Sequence, residues 1–175
     1  LVLRRQRQMC IRDRSGKDAN MIECEQDNPK LGFVGKIKKV DTDIVQNFIK
    51  SDFIPVIAPI GFGIKGETFN INGDTAAGAI ASSLLADRLL LLTDVVGVKD
   101  SDDQLINQLT IEEAKNLIDS GIINSGMIPK VNTSIKAIEE GVRASVIIDG
   151  RVDHACLLEL FTSHGVGTLF KKTFD

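Results

Sequence analysis

Apolar runs of strand length alternate with helix-length stretches along most of this chain. The runs at 53–60 and 88–93 are nearly continuous in apolar and β-branched residues, which suits buried strands of a mostly parallel sheet covered on both faces. Strands that alternate with helices of about ten residues indicate βαβ units. We therefore expect an α/β fold, a three-layer αβα sandwich with a mostly parallel central sheet.

The same patterns predict the remaining elements. Further strands are expected at 21–24, 32–40, 68–72, 145–149 and 167–170, and helices at 42–50, 75–85, 111–120, 128–140 and 154–162. Asp41 or Thr42 is expected to cap the first helix. Thr110 followed by Glu113 predicts a capping box, and Gly121 is expected to end that helix.

Composition limits the class of protein. The chain is 43% hydrophobic, and its longest apolar runs, at 54–60 and 89–92, are far shorter than the roughly 18 residues of a membrane-spanning helix. No membrane segment is therefore predicted. The cysteines Cys10, Cys24 and Cys156 lack paired spacing, which favours reduced thiols and a cytoplasmic location over a disulfide framework.

The first fourteen residues differ in composition from the rest. Arginine occupies positions 4, 5, 7, 12 and 14, and the segment lacks an apolar period. A basic tail that binds nucleic acid and a signal peptide are two interpretations. The string at 5–14 more closely resembles translated sequencing-adapter read-through, so we leave residues 1–14 out of the predicted fold as a non-native segment. Because the remainder is net acidic, no nucleic-acid partner is expected.

Polar residues cluster at a predicted strand-to-helix turn. Asn70, Asn72 and Asp74 alternate with other residues, and such alternation directs side chains into a common cleft. Lys130 lies just inside a predicted helix start, where a cation is unfavourable with respect to the helix dipole and indicates an anionic partner. A solvated lysine and an N-capping aspartate are the alternatives. A carboxylate that orients lysines and a lysine that neutralises phosphate suit phosphoryl transfer.

The loop after the strand at 88–93 is a second candidate site. It contains Asp94, Gly97 and Lys99, and Gly97 would permit close approach of the backbone to a nucleotide. An ordinary connection between a strand and a helix is the alternative. His154 and His164 lie at predicted helix edges without a partnering acidic or cysteine cluster, so we interpret both as structural or exposed and predict no protein metal site.

Six motifs together resemble one family. They are Ser15-Gly16-Lys17-Asp18, Phe53-Ile54-Pro55-Val56-Ile57, Asn70-Ile71-Asn72-Gly73-Asp74, Thr93-Asp94-Val95-Val96-Gly97-Val98, Gly121-Ile122-Ile123 and Gly126-Met127-Ile128-Pro129-Lys130. From Ser15 to about Phe170 the chain resembles the C-terminal portion of the N-acetylglutamate kinases, within the amino-acid kinase family. The resemblance implies an incomplete amino-acid kinase fold, with the remainder of the substrate domain at 15–74 and the ATP-binding domain at 75–175.

The resemblance also implies roles for individual residues. Asn70 and Asn72 would bind N-acetyl-L-glutamate, Asp74 would organise the catalytic lysines, and Lys130 would stabilise the charge on the transferred phosphoryl group. ATP would be surrounded by Asp94, Val95, Val96, Gly97, Val98, Lys99, Ile122, Ile123 and Asn124. Mg²⁺ would be bound through the ATP phosphates, and the intact protein would be a homo-oligomer.

The C-terminal stretch at 149–168 resembles that of arginine-inhibited members. Glu159 and Gly165 would then form an arginine effector site, although Val146 stands where those members commonly carry His. Two alternatives stay open: another amino-acid kinase, acting on aspartate, glutamate or a nucleoside monophosphate, or a non-catalytic nucleotide-binding remnant. A dinucleotide-binding dehydrogenase is excluded because no Gly-x-Gly-x-x-Gly follows a predicted strand.

The resemblance predicts that this polypeptide alone is nearly inactive. It has no counterpart of the family's first-strand lysine or glycine-rich loops. One of the positive charges that stabilise the transferred phosphoryl group, and most substrate contacts, would therefore be missing. The measurement is ATP hydrolysis or acyl-phosphate formation by the purified chain with N-acetyl-L-glutamate. Acetylglutamate-dependent turnover above the background without protein would contradict the prediction.

Overall fold

The computed structural model describes residues 11–162 and 165–174, so the first ten residues of the arginine-rich start lie outside the described residues. The strands are β1 Ile11–Ser15, β2 Ile22–Gln26, β3 Gly35–Val40, β4 Ile54–Ala58, β5 Ile60–Phe62, β6 Thr68–Asn70, β7 Leu89–Thr93, β8 Gln108–Thr110, β9 Ser145–Asp149 and β10 Gly167–Lys171. The helices are α1 Asp43–Lys50, α2 Gly73–Ser83, α3 Ile111–Asp119, α4 Ile128–Glu139 and α5 Ala155–Phe161.

The chain divides into two compact units, residues 1–76 and residues 77–175. The boundary expected from the sequence followed residue 74. The assignment of the first unit to substrate and the second to ATP stays a prediction.

The second unit is built on a four-stranded sheet in the order β7-β9-β10-β8. β7 and β9 are parallel, β9 and β10 are antiparallel, and β10 and β8 are parallel. All five residues of β9 are buried. Continuous burial of this kind is characteristic of a strand with cover on both faces.

Alternate side chains of β9 enter two different clusters. Ile147 belongs to the main core with residues of β7, α3 and α4, whereas Val146 and Ile148 pack with Ala155 of α5. Since successive side chains of a strand point to opposite faces, helices cover both faces of this sheet. The predicted αβα layering is therefore confirmed in the second unit.

The predicted start and end signals of α3 are confirmed. The Thr110 hydroxyl accepts a hydrogen bond from the Glu113 N–H at 3.2 Å, and the Thr110 N–H donates to the Glu113 carboxylate at 2.8 Å. These bonds hold the pKa of Glu113 below its ordinary value, the backbone bond being the larger cause. Gly121 follows the helix with a φ of +74°, a left-handed conformation that glycine adopts without strain.

The first unit contains two sheets. One is a four-stranded sheet in the order β3-β2-β5-β6, and the other consists of β1 and β4 in parallel. β1 begins at Ile11, so residues 11–14, which the sequence analysis left out of the fold, form a strand against β4. The segment has no apolar period of its own, and its pairing partner lies more than forty residues away, so local sequence did not reveal the strand.

The expectation that the run at 53–60 is covered on both faces is wrong for β4. Ile54 and Val56 are 51% and 50% exposed. The opposite face of the small sheet is covered by α1, where the Arg14 guanidinium lies 4.8 Å from the centre of the Phe48 ring. Among the described residues, no helix is long and apolar enough to cross a membrane.

Candidate functional site

The turn from β6 into α2 presents the predicted polar face. Phe69 and Ile71 are buried, whereas Asn70 and Asn72 are exposed. This alternation is what an extended backbone imposes, because successive side chains point in opposite directions. The backbone of Asn70 is held by its N–H, which donates to the Phe33 carbonyl at 2.8 Å. The two amides therefore lie on one side of a well-anchored chain segment.

Asn72 caps helix α2. Its side-chain oxygen accepts hydrogen bonds from the Thr75 N–H at 3.0 Å and the Thr75 hydroxyl at 3.3 Å. The alternative interpretation of Asp74 as the N-cap is therefore wrong. Asp74 lies in the first turn of the helix, where a carboxylate is favoured by the helix dipole.

Lys17 adds a cation to this face, and sequence reasoning assigned it no role. Its ammonium group donates to the Thr68 hydroxyl at 2.7 Å. Thr68 and Asn70 are two residues apart in β6, so their side chains share one face of the strand. The position of Lys17 in the Ser15-Gly16-Lys17-Asp18 motif was the available signal, but its partner is 51 residues away.

In the second unit, the carboxyl ends of β7 and β9 meet at Thr93 and Asp149. The Gly150 N–H donates to the Thr93 carbonyl at 2.8 Å. The Asp149 carboxylate accepts three hydrogen bonds from Arg151, at 2.9, 2.9 and 2.7 Å. These hydrogen bonds are the main reason why the pKa of Asp149 is lowered to about 2. The positive charge of Arg151 lowers that pKa further. Asp149 and, to a smaller extent, Asp94 raise the pKa of Arg151.

The loop that begins at Asp94 is tied to the core through Val98. The Val98 side chain is buried, and its N–H donates to the Thr168 hydroxyl at 2.8 Å. Gly97 has a φ of +140°, and a Cβ there would lie 2.6 Å from the same hydroxyl oxygen. Only glycine fits this position without displacing β10.

Three other predicted ATP residues of this loop are exposed, namely Val95, Val96 and Lys99. Lys99 forms an ion pair with Asp103 at 2.8 Å. Both the N–H and the carbonyl of Val98 are hydrogen-bonded, the carbonyl to the Ile106 N–H at 2.8 Å. Val98 therefore anchors the loop, and exposed residues lie on both sides of the buried pair Gly97 and Val98.

The segment before α4 supplies the second group of predicted ATP residues. Ile122 is exposed and Ile123 is buried in the main core, the same cluster that contains Val98. The Asn124 side chain accepts a hydrogen bond from the Met127 N–H at 3.0 Å and so starts the turn that leads into α4. The structure therefore brings both predicted ATP segments against one core.

Lys130 lies in the first turn of α4, as the sequence predicted. The helix begins at Ile128, with proline in its first turn. A helix N-terminus carries partial positive charge, and a lysine in the same turn adds to it. Such a site attracts an anion, and phosphate groups are a common choice.

The predicted arginine effector residues lie next to each other. The Glu159 carboxylate is buried, pairs with the Arg88 guanidinium at 3.3 Å and accepts a hydrogen bond from the Val166 N–H at 3.1 Å. A Cβ at Gly165 would lie 2.5 Å from the same carboxylate, so glycine allows this close approach. The predicted carboxylate is thus already matched to a guanidinium of the chain itself.

The described residues contain no group of three or more His, Cys, Asp or Glu side chains placed to hold a metal ion. His154 is exposed, and His164 lies outside the described residues.

The Asp149–Arg151 pair predicts a pH dependence of stability. Because the pKa of Asp149 in the folded chain is about 2, below its ordinary value of 3.8, the ionised pair stabilises the fold above about pH 4. This contribution is lost as the pH falls towards 2. The measurement is the free energy of unfolding in urea at pH 7, 4 and 2 for the parent chain and Asp149→Asn.

We expect Asp149→Asn to be less stable than the parent chain at pH 7 and to lose less stability on acidification. Asp153→Asn is the matched control, since it removes one exposed carboxylate from the same turn. Equal loss of stability in the parent and Asp149→Asn between pH 4 and pH 2 would contradict the assignment.

Known proteins resemble this chain in sequence and in structure. An acetylglutamate kinase from Dinoroseobacter shibae is 57% identical over 158 residues, which cover 90% of this chain and 55% of that protein. An acetylglutamate kinase from Ruegeria pomeroyi is 55% identical, with the same coverage. The chain therefore spans about half the length of the curated relatives it matches.

Solved structures extend the comparison. N-acetylglutamate synthase from Neisseria gonorrhoeae, complexed with coenzyme A and L-arginine, has a TM-score of 0.80 at 30% identity, covering 91% of this chain and 37% of that one. Aspartokinase III from E. coli, at 14% identity and a TM-score of 0.67, covers 94% of this chain and 35% of that one and shows the fold alone. The model of the amino acid kinase family matches residues 7–149. The chain belongs to the amino acid kinase family.

Proposed function

We propose that this chain serves in the ATP-dependent phosphorylation of the side-chain carboxylate of N-acetyl-L-glutamate, a step of arginine biosynthesis. The observation that carries the proposal is its identity with acetylglutamate kinases over nine-tenths of its length. The exposed amides of Asn70 and Asn72 support it, because amides donate hydrogen bonds to a carboxylate substrate. Lys130 at the start of α4 also supports it, because a cation at a helix N-terminus can bind a phosphate group of ATP.

The reaction is an in-line transfer. A carboxylate oxygen of the acceptor forms a bond to the γ-phosphorus of ATP, the bond to the oxygen that bridges the β- and γ-phosphorus atoms breaks, and ADP leaves with that electron pair. Protein groups contribute position and charge stabilisation to such a transfer. Lys130 would neutralise charge on the transferred group, and Asp74 would orient the catalytic lysines.

The nucleotide would be bound by the second unit. Asp94, Val95, Val96 and Gly97 precede the anchor at Val98, and Ile122 and Asn124 precede α4. The N-terminus of α4 suits the phosphates. Mg²⁺ would be bound by the oxygens of the phosphates, the hard ligands it prefers, and would neutralise their charge.

Two further assignments belong to the same proposal. The thiols of Cys24 and Cys156 are free, which supports a reducing compartment and so a cytoplasmic location. Burial, with a smaller contribution from Glu23, raises the pKa of the Cys24 thiol, which lowers its reactivity.

We also propose that the complete protein forms a homo-oligomer, as the resemblance to its family implies.

The role of Lys130 is tested by a pair of variants on one helix. Lys130→Gln and Lys136→Gln each remove one positive charge from α4, but Lys136 lies near the other end and pairs with Glu140. We expect Lys130→Gln to weaken binding of Mg-ATP to the chain roughly tenfold or more, the loss of a charge-assisted hydrogen bond. Calorimetric titration measures it, and Lys136→Gln should bind within about twofold of the parent.

Turnover is tested in a chimera in which this chain replaces the matching stretch of the Dinoroseobacter shibae kinase. Lys130→Gln should slow phosphorylation of N-acetyl-L-glutamate about a hundred- to thousandfold, the usual effect of removing one charge-stabilising donor. Lys136→Gln is again the control. A chimera that phosphorylates aspartate or glutamate in preference would favour the alternative kinases, and equal rates for the two variants would refute the role of Lys130.

We propose in addition that L-arginine binds at Glu159 and Gly165. The support is a buried carboxylate already matched to the guanidinium of Arg88, with which the effector would exchange. We expect L-arginine at millimolar concentration to raise the midpoint of thermal unfolding of the chain, since a ligand that binds the folded state stabilises it. L-Lysine is the control ligand, and an equal effect of both amino acids, or of neither, would remove the proposal.

A further inference from the structure

A cavity of about 250 Å³ opens on the four-stranded sheet of the first unit. It is lined by Cys24, Glu25, Gln26, Phe33, Gly63, Ile64, Glu67 and Phe69. All eight residues belong to the unit 1–76, so the cavity lies within one compact body. None of them takes part in the phosphoryl transfer proposed above. Because sites for drug-sized ligands have volumes of roughly 300–1,000 Å³, this cavity suits a smaller molecule.

Part of the lining is apolar and aromatic. Cys24 and Phe69 are buried and form its inner part, whereas Phe33 and Ile64 are 70% and 81% exposed and lie at its mouth. The ring centres of Phe33 and Phe69 are 6.4 Å apart, with the planes tilted by 47°. Two aromatic faces and an exposed isoleucine offer cover to the apolar body of a ligand.

The charges of the lining are all negative. Its two ionisable acids are Glu25 and Glu67, and the lining contains no Lys, Arg or His. Glu25 pairs with the Lys38 ammonium at 3.3 Å. The Glu67 carboxylate accepts a hydrogen bond from the Lys65 N–H at 3.0 Å, and no cation of residues 11–162 and 165–174 forms an ion pair with it. A positively charged ligand would therefore complement Glu67.

The turn between β5 and β6 holds the Glu67 carboxylate beside the aromatic wall. The Gly63 N–H donates to the Glu67 carbonyl at 3.0 Å, and the Gly66 N–H donates to the Gly63 carbonyl at 2.9 Å. A Cβ at Gly63 would lie 2.5 Å from the Glu67 Oε2 atom and 2.9 Å from the Phe69 ring. Glycine therefore allows the carboxylate and the ring to approach each other. An ammonium group placed there would gain from both.

We propose that this cavity binds a small ammonium compound with an apolar body, its charge at Glu67 and its body against Phe33 and Phe69. The two carboxylates disfavour anions, so the cavity is distinct in charge from the sites proposed for ATP and for N-acetyl-L-glutamate. The inference is independent of the proposed function. A chain that fails to bind Mg-ATP would leave it intact.

The first test compares probes of one shape and different charge on the unaltered chain. The probes are phenethylammonium, the neutral phenethyl alcohol and the anionic hydrocinnamate, and the measurement is an NMR titration of the backbone amide signals. We expect phenethylammonium at millimolar concentration to shift the signals of the lining residues, and the alcohol to bind roughly fivefold or more weakly. Hydrocinnamate should not bind. An alcohol that binds as tightly as the ammonium compound, or shifts confined to other residues, would overturn the proposal.

The second test removes the charge of Glu67. Glu67→Gln keeps an oxygen that can accept the Lys65 N–H, so the turn is retained. Glu112→Gln is the control, since it removes one exposed carboxylate from α3 in the second unit. We expect Glu67→Gln to weaken binding of phenethylammonium about tenfold and to leave that of phenethyl alcohol within about twofold. Equal affinities of the two variants for phenethylammonium would refute the role of Glu67.

The third test addresses the aromatic wall. Phe33→Ala and Leu31→Ala each shorten an exposed apolar side chain in the connection between β2 and β3, but Phe33 lines the cavity and Leu31 does not. Phe33→Ala should weaken binding of phenethylammonium roughly threefold or more, the usual effect of losing an aromatic face for a cation. Leu31→Ala should bind as the parent chain does. If both variants bind equally well, the ligand body does not lie against Phe33 and the proposal fails.

Discussion

The parallel pairing of β7 with β9 positions the candidate nucleotide loop that begins at Asp94. It places the ends of both strands at one edge, where Thr93 and Asp149 face each other and Gly150 bonds back to Thr93. The pairing is stable because β9 is buried along its whole length, with α3 and α4 on one face of the sheet and α5 on the other. Without those helices the ends of β7 and β9 would not be held in place, and the loop that begins at Asp94 would not be fixed to the core.

Rigid anchoring of a loop allows its exposed residues to be presented in one geometry. Thr168 of β10 accepts the Val98 N–H and donates to the Ile106 carbonyl at 2.7 Å, so one hydroxyl joins three segments. The position of the exposed residues before Gly97 is therefore fixed relative to the core. A binding site held in this way loses little conformational entropy when a ligand arrives.

Electrostatic organisation differs between the candidate residues. Asp149 and Arg151 neutralise each other at the sheet edge, and Glu159 is matched to Arg88. Lys130 lies in the first turn of α4, at the positive end of the helix dipole. A helix N-terminus is a common binding site for phosphate, and the proposed phosphate contact of Lys130 rests on this position.

Local sequence was enough to predict most of the elements and the local backbone setting of several candidate site residues. The capping box at Thr110, the glycine after α3 and the start of α4 depend on residues three or four positions apart, as does the alternation from Phe69 to Asn72. The tertiary structure alone decided the contacts between distant residues. These include β1 against β4, Lys17 on Thr68, Val98 on Thr168 and the exposure of Ile54. The physical reason is the sequence separation of the interacting residues. Caps and turns form within one segment, whereas strand pairing and burial depend on which distant segment packs against it.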